Sequence, residues 1–371
     1  MCGKKIDFAI FAFCRNESEE HMPQNYIQTE PLRYIIQHLD ENFQSQHTNF
    51  SKFLDNHKHI KKWIIASDYC IEDKDKPNDT IAMTIIPCDS IEKIICDIST
   101  LTKKDIKDIN SKSEISVDFL KYLNSERLFH ICIIYEKSDM FVDSKESAEL
   151  QVDFIIELIE NWKINSDNEK AINNYNLLIK QFKMLKNETN RKTFNVGLFQ
   201  NILFLSTFIS YFASTIAVIN EAHVVGWASD RGPMVEAYNS IIFDFFWIQY
   251  HCICTSKEYD SDKTKLAFFT QNITTDKYGK SLKHMWYDEL VRLPDYIAGT
   301  FADLNMDNQE STQNKFIQII EGVAADNKNL ELHRIGFKRD GQILHKYYTI
   351  LTQQASEQSE AHIAGGNRAT V

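Results

Sequence analysis

Residues 59–87 read HIKKWIIASDYCIEDKDKPNDTIAMTIIP, and this stretch decides the class of fold. Two apolar runs, WIIAS and IAMTIIP, are separated by a polar loop. Apolar runs of this length bounded by turn residues are typical of buried β-strands. A third run of the same kind, FHICIIY, lies at residues 129–135. Strands that are apolar on both sides need a covering layer on each face, so the sequence predicts an α/β protein whose mixed sheet is flanked by helices.

Helical patterns surround these strands. TEPLRYIIQHLDENF at residues 29–43 places apolar residues on one stripe behind a Pro in the first turn. The spacing predicts amphipathic helices over residues 147–163 and 171–190, and one mostly apolar helix from Pro233 to residue 251. Residues 255–283 are polar and predict a loop, and residues 283–305 predict a helix interrupted or kinked at Pro294.

Both ends of the chain carry additions to the predicted sheet. A short apolar strand near residues 6–14 and the helix after it predict an N-terminal strand/helix layer over residues 1–60. Residues 331–351 predict a C-terminal β-hairpin that turns at Asp340 and Gly341. We therefore expect one domain with helical insertions over residues 61–352, and a flexible tail over residues 353–371.

The stretch from Thr193 to Asn220 contains no charged residue and is long enough to cross a bilayer. It carries several Ser, Thr, Asn and Gln side chains and runs directly into a strand-like HVVGWAS. These features favour a helix buried between the sheet and outer helices, because an all-round apolar helix is buried either in protein or in lipid. A membrane span is the alternative interpretation.

Composition restricts the function. The net charge of −11 over 371 residues gives no general attraction to nucleic acid or anionic lipid, so any nucleic-acid contact must be local. The eight Cys form no CxxC pair and most lie in apolar runs, which indicates a reducing, cytoplasmic location. No Walker loop, dinucleotide-binding Gly pattern or Ser nucleophile elbow occurs, which argues against those enzyme classes.

Three aspartates stand out in apolar surroundings. Asp68 and Asp230 end the apolar runs WIIASD and VVGWASD, and Asp295 interrupts the apolar helix LVRLPDYIAG. Strand ends are where a covered sheet opens to ligands, and carboxylates are preferred ligands of Mg²⁺ and Mn²⁺. If the three converge, a metal-assisted phosphodiester cleavage is a candidate activity. The alternative for each is a structural role, such as Asp230 capping the helix that begins near Pro233.

The order WIIASD, IAMTIIP, FHICIIYEKSD, VVGWASDRG and LVRLPDYIAGTFAD resembles a widespread bacterial family, domain of unknown function family 3800, which has a ribonuclease H-like fold. The most specific motif is LPDYIAG at residues 293–299, close to the family's LADYIAG. The strand that ends in YEK at residues 135–137 is also similar to a family strand. The resemblance covers residues 63–305 and implies a ribonuclease H-like core.

The resemblance also implies a Mg²⁺ or Mn²⁺ site at Asp68, Asp230 and Asp295. The chain departs from the family after Asp68, where YCIE replaces the family's ESG. Either Glu72 or Glu136 substitutes for the missing acid, or the site is weakened or lost. Lys137 and Arg231 are candidate phosphate-binding residues, although Lys137 can also be a solvated edge charge and Arg231 can pair with a nearby acid. Three tryptophans, Trp227, Trp247 and Trp286, are expected to belong to the core rather than to stack on bases.

The function expected from these features is a metal-dependent nuclease that acts on DNA or RNA, in a context of phage defence or mobile elements that the resemblance implies. The alternative is a non-catalytic ribonuclease H-like module that binds a protein partner or a second copy of the chain. The altered motif after Asp68 and the negative net charge favour that alternative. Neither interpretation involves a membrane.

Overall fold

The computed structural model describes residues 30–43, 48–135, 142–269, 285–306, 310–325, 328–337 and 343–348. Within them, seven strands form one mixed sheet in the order β5-β4-β1-β2-β3-β6-β7. The strands are β1 (Lys62–Cys70), β2 (Asp79–Pro87), β3 (Phe129–Tyr135), β4 (Val224–Ser229), β5 (Lys265–Phe269), β6 (Leu330–Phe337) and β7 (Ile343–Tyr348). β2 runs antiparallel to β1 and β3, whereas β4 runs parallel to β1 and β5 parallel to β4. The predicted α/β class is confirmed.

Helices cover both faces of this sheet. In the described residues they are α1 (Glu30–Phe43), α2 (Asn49–Asn56), α3 (Ile91–Leu101), α4 (Val117–Leu123), α5 (Lys145–Ile164), α6 (Glu169–Thr189), α7 (Val196–Asn220), α8 (Pro233–Ser240), α9 (Ile242–Ser256), α10 (Asp288–Asp303) and α11 (Asn314–Ile319). One face of the sheet packs against α1, α2 and α5–α9, and we call it the α7 face. The other, the α10 face, packs against α3, α4, α10 and α11.

The strand β1 shows why the sheet needs both layers. Trp63 and Ile65 point to the α7 face, whereas Ile64 and Ala66 point to the α10 face. All four are buried. Successive side chains of a strand alternate between faces, so an unbroken apolar run becomes a strand buried on both sides.

The apolar stretch after Thr193 forms α7, which lies in the α7-face core. Its most apolar 18-residue window is 89% buried inside the protein. The buried Ser and Thr hydroxyls donate to carbonyl groups: Ser206 and Thr207 donate to Leu203 at 2.9 and 2.7 Å, and Ser210 donates to Phe246 of α9 at 3.0 Å. The prediction of a buried core helix is confirmed, and this burial fits a soluble protein.

Three predicted segments differ from the structure. The loop predicted over residues 255–283 contains the strand β5, whose short sequence KLAFF is only partly buried at the sheet edge and gives no long apolar run. The single helix predicted from Pro233 to residue 251 breaks into α8 and α9, because Tyr238, Asn239 and Ser240 adopt positive φ angles of 52–58°. The apolar pattern continues across this break and therefore could not reveal it. α10 runs through Pro294 without interruption.

The terminal additions belong to the same body as the sheet. Ile35, Phe50 and Leu54 of α1 and α2 are buried in the α7-face core, and the Phe50 N–H donates to Glu331 of β6 at 2.9 Å. The predicted hairpin is present as β6 and β7, and it extends the sheet because β6 pairs in parallel with β3. The strand predicted near residues 6–14, the turn at Asp340 and the tail from residue 353 lie outside the described residues.

Candidate functional site

Asp68 and Asp230 occupy neighbouring positions on two parallel strands: Asp230 directly follows β4, whereas β1 continues for two residues beyond Asp68. β1 and β4 pair in parallel, and the Asp230 N–H continues the ladder by donating to the Ser67 carbonyl at 3.0 Å. Ala66 and Ala228, two residues before each aspartate, pack on the α10 face. Because side chains alternate along a strand, both aspartates belong to that same face.

Asp295 reaches this position from α10. The helix is held on the sheet by the Thr80 hydroxyl of β2, which donates to the Ala298 carbonyl at 3.0 Å. One oxygen of Asp295, Oδ2, accepts the N–H of Ile106 at 2.8 Å. Its carboxyl group also shares a hydrogen bond with the carboxyl group of Asp68. The structure therefore joins the end of β1 to the middle of α10 through two acidic side chains.

Burial and mutual repulsion shift the pKa values of this pair upward. Asp68 is 7% exposed, and its burial, followed by the charges of Asp295 and Asp230, raises its pKa well above the ordinary value. Burial raises the pKa of Asp295 to about 6. Two carboxyl groups in contact in a poorly solvated place repel each other strongly when both are ionised. They therefore share a proton when no metal ion is bound between them.

Asp230 contributes charge to the cluster and does not cap α8. The N-cap of α8 is Gly232, and no side-chain hydrogen bond caps that end, so the predicted capping role of Asp230 is wrong. Burial raises the pKa of Asp230, while the Arg231 N–H and the charges of Lys107 and Arg231 act in the opposite direction. We call Asp68, Asp230 and Asp295 the aspartate cluster.

Of the other candidate residues, Glu72 lies apart from the cluster, Arg231 lies at its edge, and two lie outside the described residues. Glu72 is exposed, with φ of 60°, and its N–H donates to Asp79 at 2.9 Å. A Cβ added at Gly197, in the first turn of α7, would lie 3.6 Å from the Glu72 carboxylate. Glu72 therefore lies beside the helix on the opposite face of the sheet. Arg231 forms an ion pair with Asp288 at 3.4 Å. Glu136 and Lys137 lie outside the described residues.

The donor set suits a hard divalent cation, but the ligands are not fully assembled. Mg²⁺ and Mn²⁺ prefer oxygen ligands, and three neighbouring carboxylates at a partly buried position supply such ligands. In the described part of the chain, however, no three His, Cys, Asp or Glu side chains are arranged to hold a metal ion. Two carboxyl groups of the cluster are in contact, and Asp230 acts on them through its charge.

Sequence reasoning missed two residues beside the cluster. Lys107 lies in a short 3₁₀ helix (Ile106–Asp108), its side chain is 75% exposed, and Asp105 lies 4.0 Å away. Burial lowers the pKa of Lys107, but the charges of Asp295, Asp105 and the rest of the cluster raise it above its ordinary value. No motif marks this lysine, because it is brought to Asp295 by the hydrogen bond of its neighbour Ile106.

The second missed residue is Trp286, which the sequence assigns to the core. Trp227 is 2% exposed and Trp247 is partly buried against the α7-face core, as predicted. Trp286 is instead 53% exposed, so its prediction is wrong. It stands just before α10, where apolar neighbours in the sequence do not determine which ring faces solvent.

Comparisons of the chain with protein-family models, with curated proteins and with solved structures found no match. The strand order and the placement of the aspartate cluster are the observations on which a function can be proposed.

Proposed function

We propose that this protein is a metal-dependent, nuclease-like hydrolase of phosphodiester bonds, built on a ribonuclease H-like core. The observation that carries the proposal is the aspartate cluster, in which one acid near the end of β1, one directly after β4 and one from α10 come to one face of the sheet. Ligand sites form at such strand ends in sheets covered by helices.

The topology of the central strands supports the core assignment. Reading from β3 to β5, the order is β3-β2-β1-β4-β5, with the first three strands antiparallel and the last two parallel to β1. A ribonuclease H-like core has this order and these directions. The resemblance to domain of unknown function family 3800 rests on the same segments and remains part of the proposal, as does its context of phage defence or mobile elements.

Each residue of the site has a separate role in this proposal. Asp68, Asp230 and Asp295 would hold one or two Mg²⁺ or Mn²⁺ ions, which supply Lewis-acid activation of water and of the scissile phosphate when bound. The Ile106 N–H fixes the orientation of Asp295. Lys107, exposed beside the cluster, is placed to attract a phosphate, and Arg231 is oriented by Asp288 at the edge of the cluster.

A calorimetric Mn²⁺ titration of the full chain tests the proposal. Wild type should bind Mn²⁺, and Asp230→Asn should lose most of that affinity because one charged ligand becomes neutral. Asp303→Asn is the matched control, since Asp303 is an acid of α10 that lies in a separate hydrogen-bonded site. It should bind Mn²⁺ as wild type does.

Cleavage assays on RNA and DNA, single-stranded and duplex, then follow with the same three proteins. Mn²⁺-dependent cleavage by wild type and the Asp303→Asn variant, but not by Asp230→Asn, is the expected result. If wild type binds no Mn²⁺ at millimolar concentration, or if Asp230→Asn binds and cleaves as wild type does, the hydrolase proposal is overturned.

A second candidate function is a non-catalytic ribonuclease H-like module that binds a protein partner or a second copy. The observation that favours it is the position of Glu72, which lies beside α7 and does not replace the missing family acid, together with the incompletely assembled ligand set of the described residues. Absence of Mn²⁺ binding in the titration would favour this candidate.

A further inference from the structure

Trp286 is the one aromatic residue among the large, well-exposed apolar side chains of the described residues. Two neighbouring aromatic rings pack against its ring. The Phe269 ring of β5 lies 4.9 Å away at 52°, and the Tyr287 ring lies 5.6 Å away at 86°. A ring fixed by two others loses little conformational entropy when something stacks on its free face.

This ring lies close to the aspartate cluster. Met285, Trp286 and Asp288 belong to one turn, because the Met285 N–H donates to Asp288 at 2.7 Å. Asp288 pairs with Arg231, the residue next to Asp230. From Asp288 to Asp295 the helix rises by roughly 10 Å in about two turns, so both residues lie on the same side of α10. The ring that touches Trp286, Tyr287, also feels the charge of Asp230, which places the exposed ring on the Asp230 side of the cluster.

A cation lies at the cluster itself. Lys107 is 75% exposed, and its neighbour Ile106 is hydrogen-bonded to Asp295. The charge of this lysine acts on Asp295, Asp230 and Asp68. The described residues thus place a solvent-exposed aromatic platform and an exposed ammonium group around the same three carboxylates.

We propose that the strand bound at this site is unpaired nucleic acid, with one base stacked on Trp286 and a backbone phosphate held by Lys107. The inference rests on the proposed hydrolase function. An unpaired strand offers base faces along its whole length, whereas the bases inside a duplex are stacked on each other and must be unstacked first. A net charge of −11 restricts any phosphate contact to local cations such as Lys107.

Fluorescence anisotropy with labelled oligo(dT), oligo(U) and a duplex of equal length tests this inference. Binding is measured with Ca²⁺, which neutralises carboxylates without being the proposed catalytic ion. We expect preference for the single strands. Trp286→Ala should weaken their binding by about tenfold and Trp286→Phe by less, because stacking on one ring contributes about 5- to 150-fold in affinity.

Two variants on α6 serve as matched controls. Leu177→Ala removes a side chain that is also exposed and apolar, and Lys183→Ala removes an exposed lysine. Both should bind the oligonucleotides as wild type does. Lys107→Ala should weaken binding and reduce the slope of log affinity against log salt by about 1, as expected for the loss of one phosphate contact.

The inference is overturned by no oligonucleotide binding, by equal affinity for the duplex, or by unchanged single-strand affinity in either Trp286→Ala or Lys107→Ala. A change in sedimentation of Trp286→Ala, with oligonucleotide affinity unchanged, would instead assign the ring to a protein interface and also overturn it. Trp286-dependent binding without Mn²⁺-dependent cleavage would support this inference and refute the hydrolase. Cleavage that Trp286→Ala leaves intact, with unchanged single-strand affinity, would do the reverse.

Discussion

Helix α10 carries two acidic sites, eight residues apart, that are built in opposite ways. Asp303, at the end of the helix, is 3% exposed and receives the Lys76 ammonium at 2.8 Å. The hydroxyl groups of Ser311 and Thr312 each donate to it at 2.7 Å. Although burial raises its pKa, the bonds from Lys76, Ser311 and Thr312 more than offset this and hold it below the ordinary value.

Asp295, in the middle of the same helix, faces the opposite environment. Its carboxyl group meets that of another acid, Asp68, and its pKa is raised to about 6, chiefly by burial. Asp303 receives a charge partner and hydrogen bonds from the protein itself, and these contacts stabilise the fold. Asp295 lies against another acid, so a bound cation would reduce the repulsion between them. The difference indicates that the first acid serves structure and that the second is available for a ligand.

The largest effect is expected at the structural acid. Asp303→Asn should lower the free energy of unfolding by about 3 kcal/mol, because it leaves Lys76 partly buried without its charge partner. Urea unfolding measured by circular dichroism checks this value. A loss below about 0.5 kcal/mol would show that the Lys76 pair contributes nothing and would erase the contrast between the two sites.

The pH dependence of Asp295→Asn should separate the sites further. A native pKa of about 6 means that the folded protein holds this proton more tightly than the unfolded chain. Stability of wild type is therefore lost as the pH rises from about 4 through 6, and Asp295→Asn, which has no charge to repel, should be more stable by about 1 kcal/mol above that window. Below about pH 4 the two proteins should be equally stable.

The same titration applied to Asp303→Asn should give the opposite trend, because the pKa of that acid is depressed. Its contribution to stability is present above the ordinary Asp value and is lost as the pH falls through the native value. The destabilisation caused by Asp303→Asn should therefore shrink in acid. Parallel pH profiles of the two variants would contradict the division between the sites.

The smallest effect is expected at Lys107. Because its side chain is exposed, Lys107→Ala should change the free energy of unfolding by less than about 0.5 kcal/mol. Removing one positive charge beside the carboxylates should, however, tighten Mn²⁺ binding by about threefold. Calorimetry of this variant beside Lys183→Ala measures the effect, and weaker Mn²⁺ binding in Lys107→Ala would mean that the lysine supports the ligands rather than opposing the cation.

The elements that the sequence predicts well are those with long apolar runs. β1, β2, β3, β4 and the buried helix α7 are each marked by such a run, and all of them are present. β5 was missed because an edge strand of five residues, partly exposed, needs no continuous apolar pattern. The break before α9 was missed because backbone conformation at Tyr238–Ser240 changes while the apolar pattern does not.

For the candidate site, the sequence by itself determined the three acids. A carboxylate at the end of an apolar strand, or inside an apolar helix, is costly to bury, and this cost makes Asp68, Asp230 and Asp295 conspicuous in the chain. What the sequence could not determine is which acids meet. Asp303 looks much like Asp295 in the printed sequence, and only the surrounding chain decides that one receives Lys76 and the other receives Asp68.

The tertiary structure alone decided the neighbours of the cluster. Lys107 is 188 residues from Asp295 in the chain and is brought there by contacts of its neighbours, the Ile106 N–H with Asp295 and Asp105 with Arg292. Trp286 packs against Phe269 and Tyr287 and remains exposed. The physical reason is that the cost of burying a charged residue depends on that residue and on the apolar residues next to it in the sequence. Charge pairing and ring exposure depend instead on distant residues that the fold brings alongside.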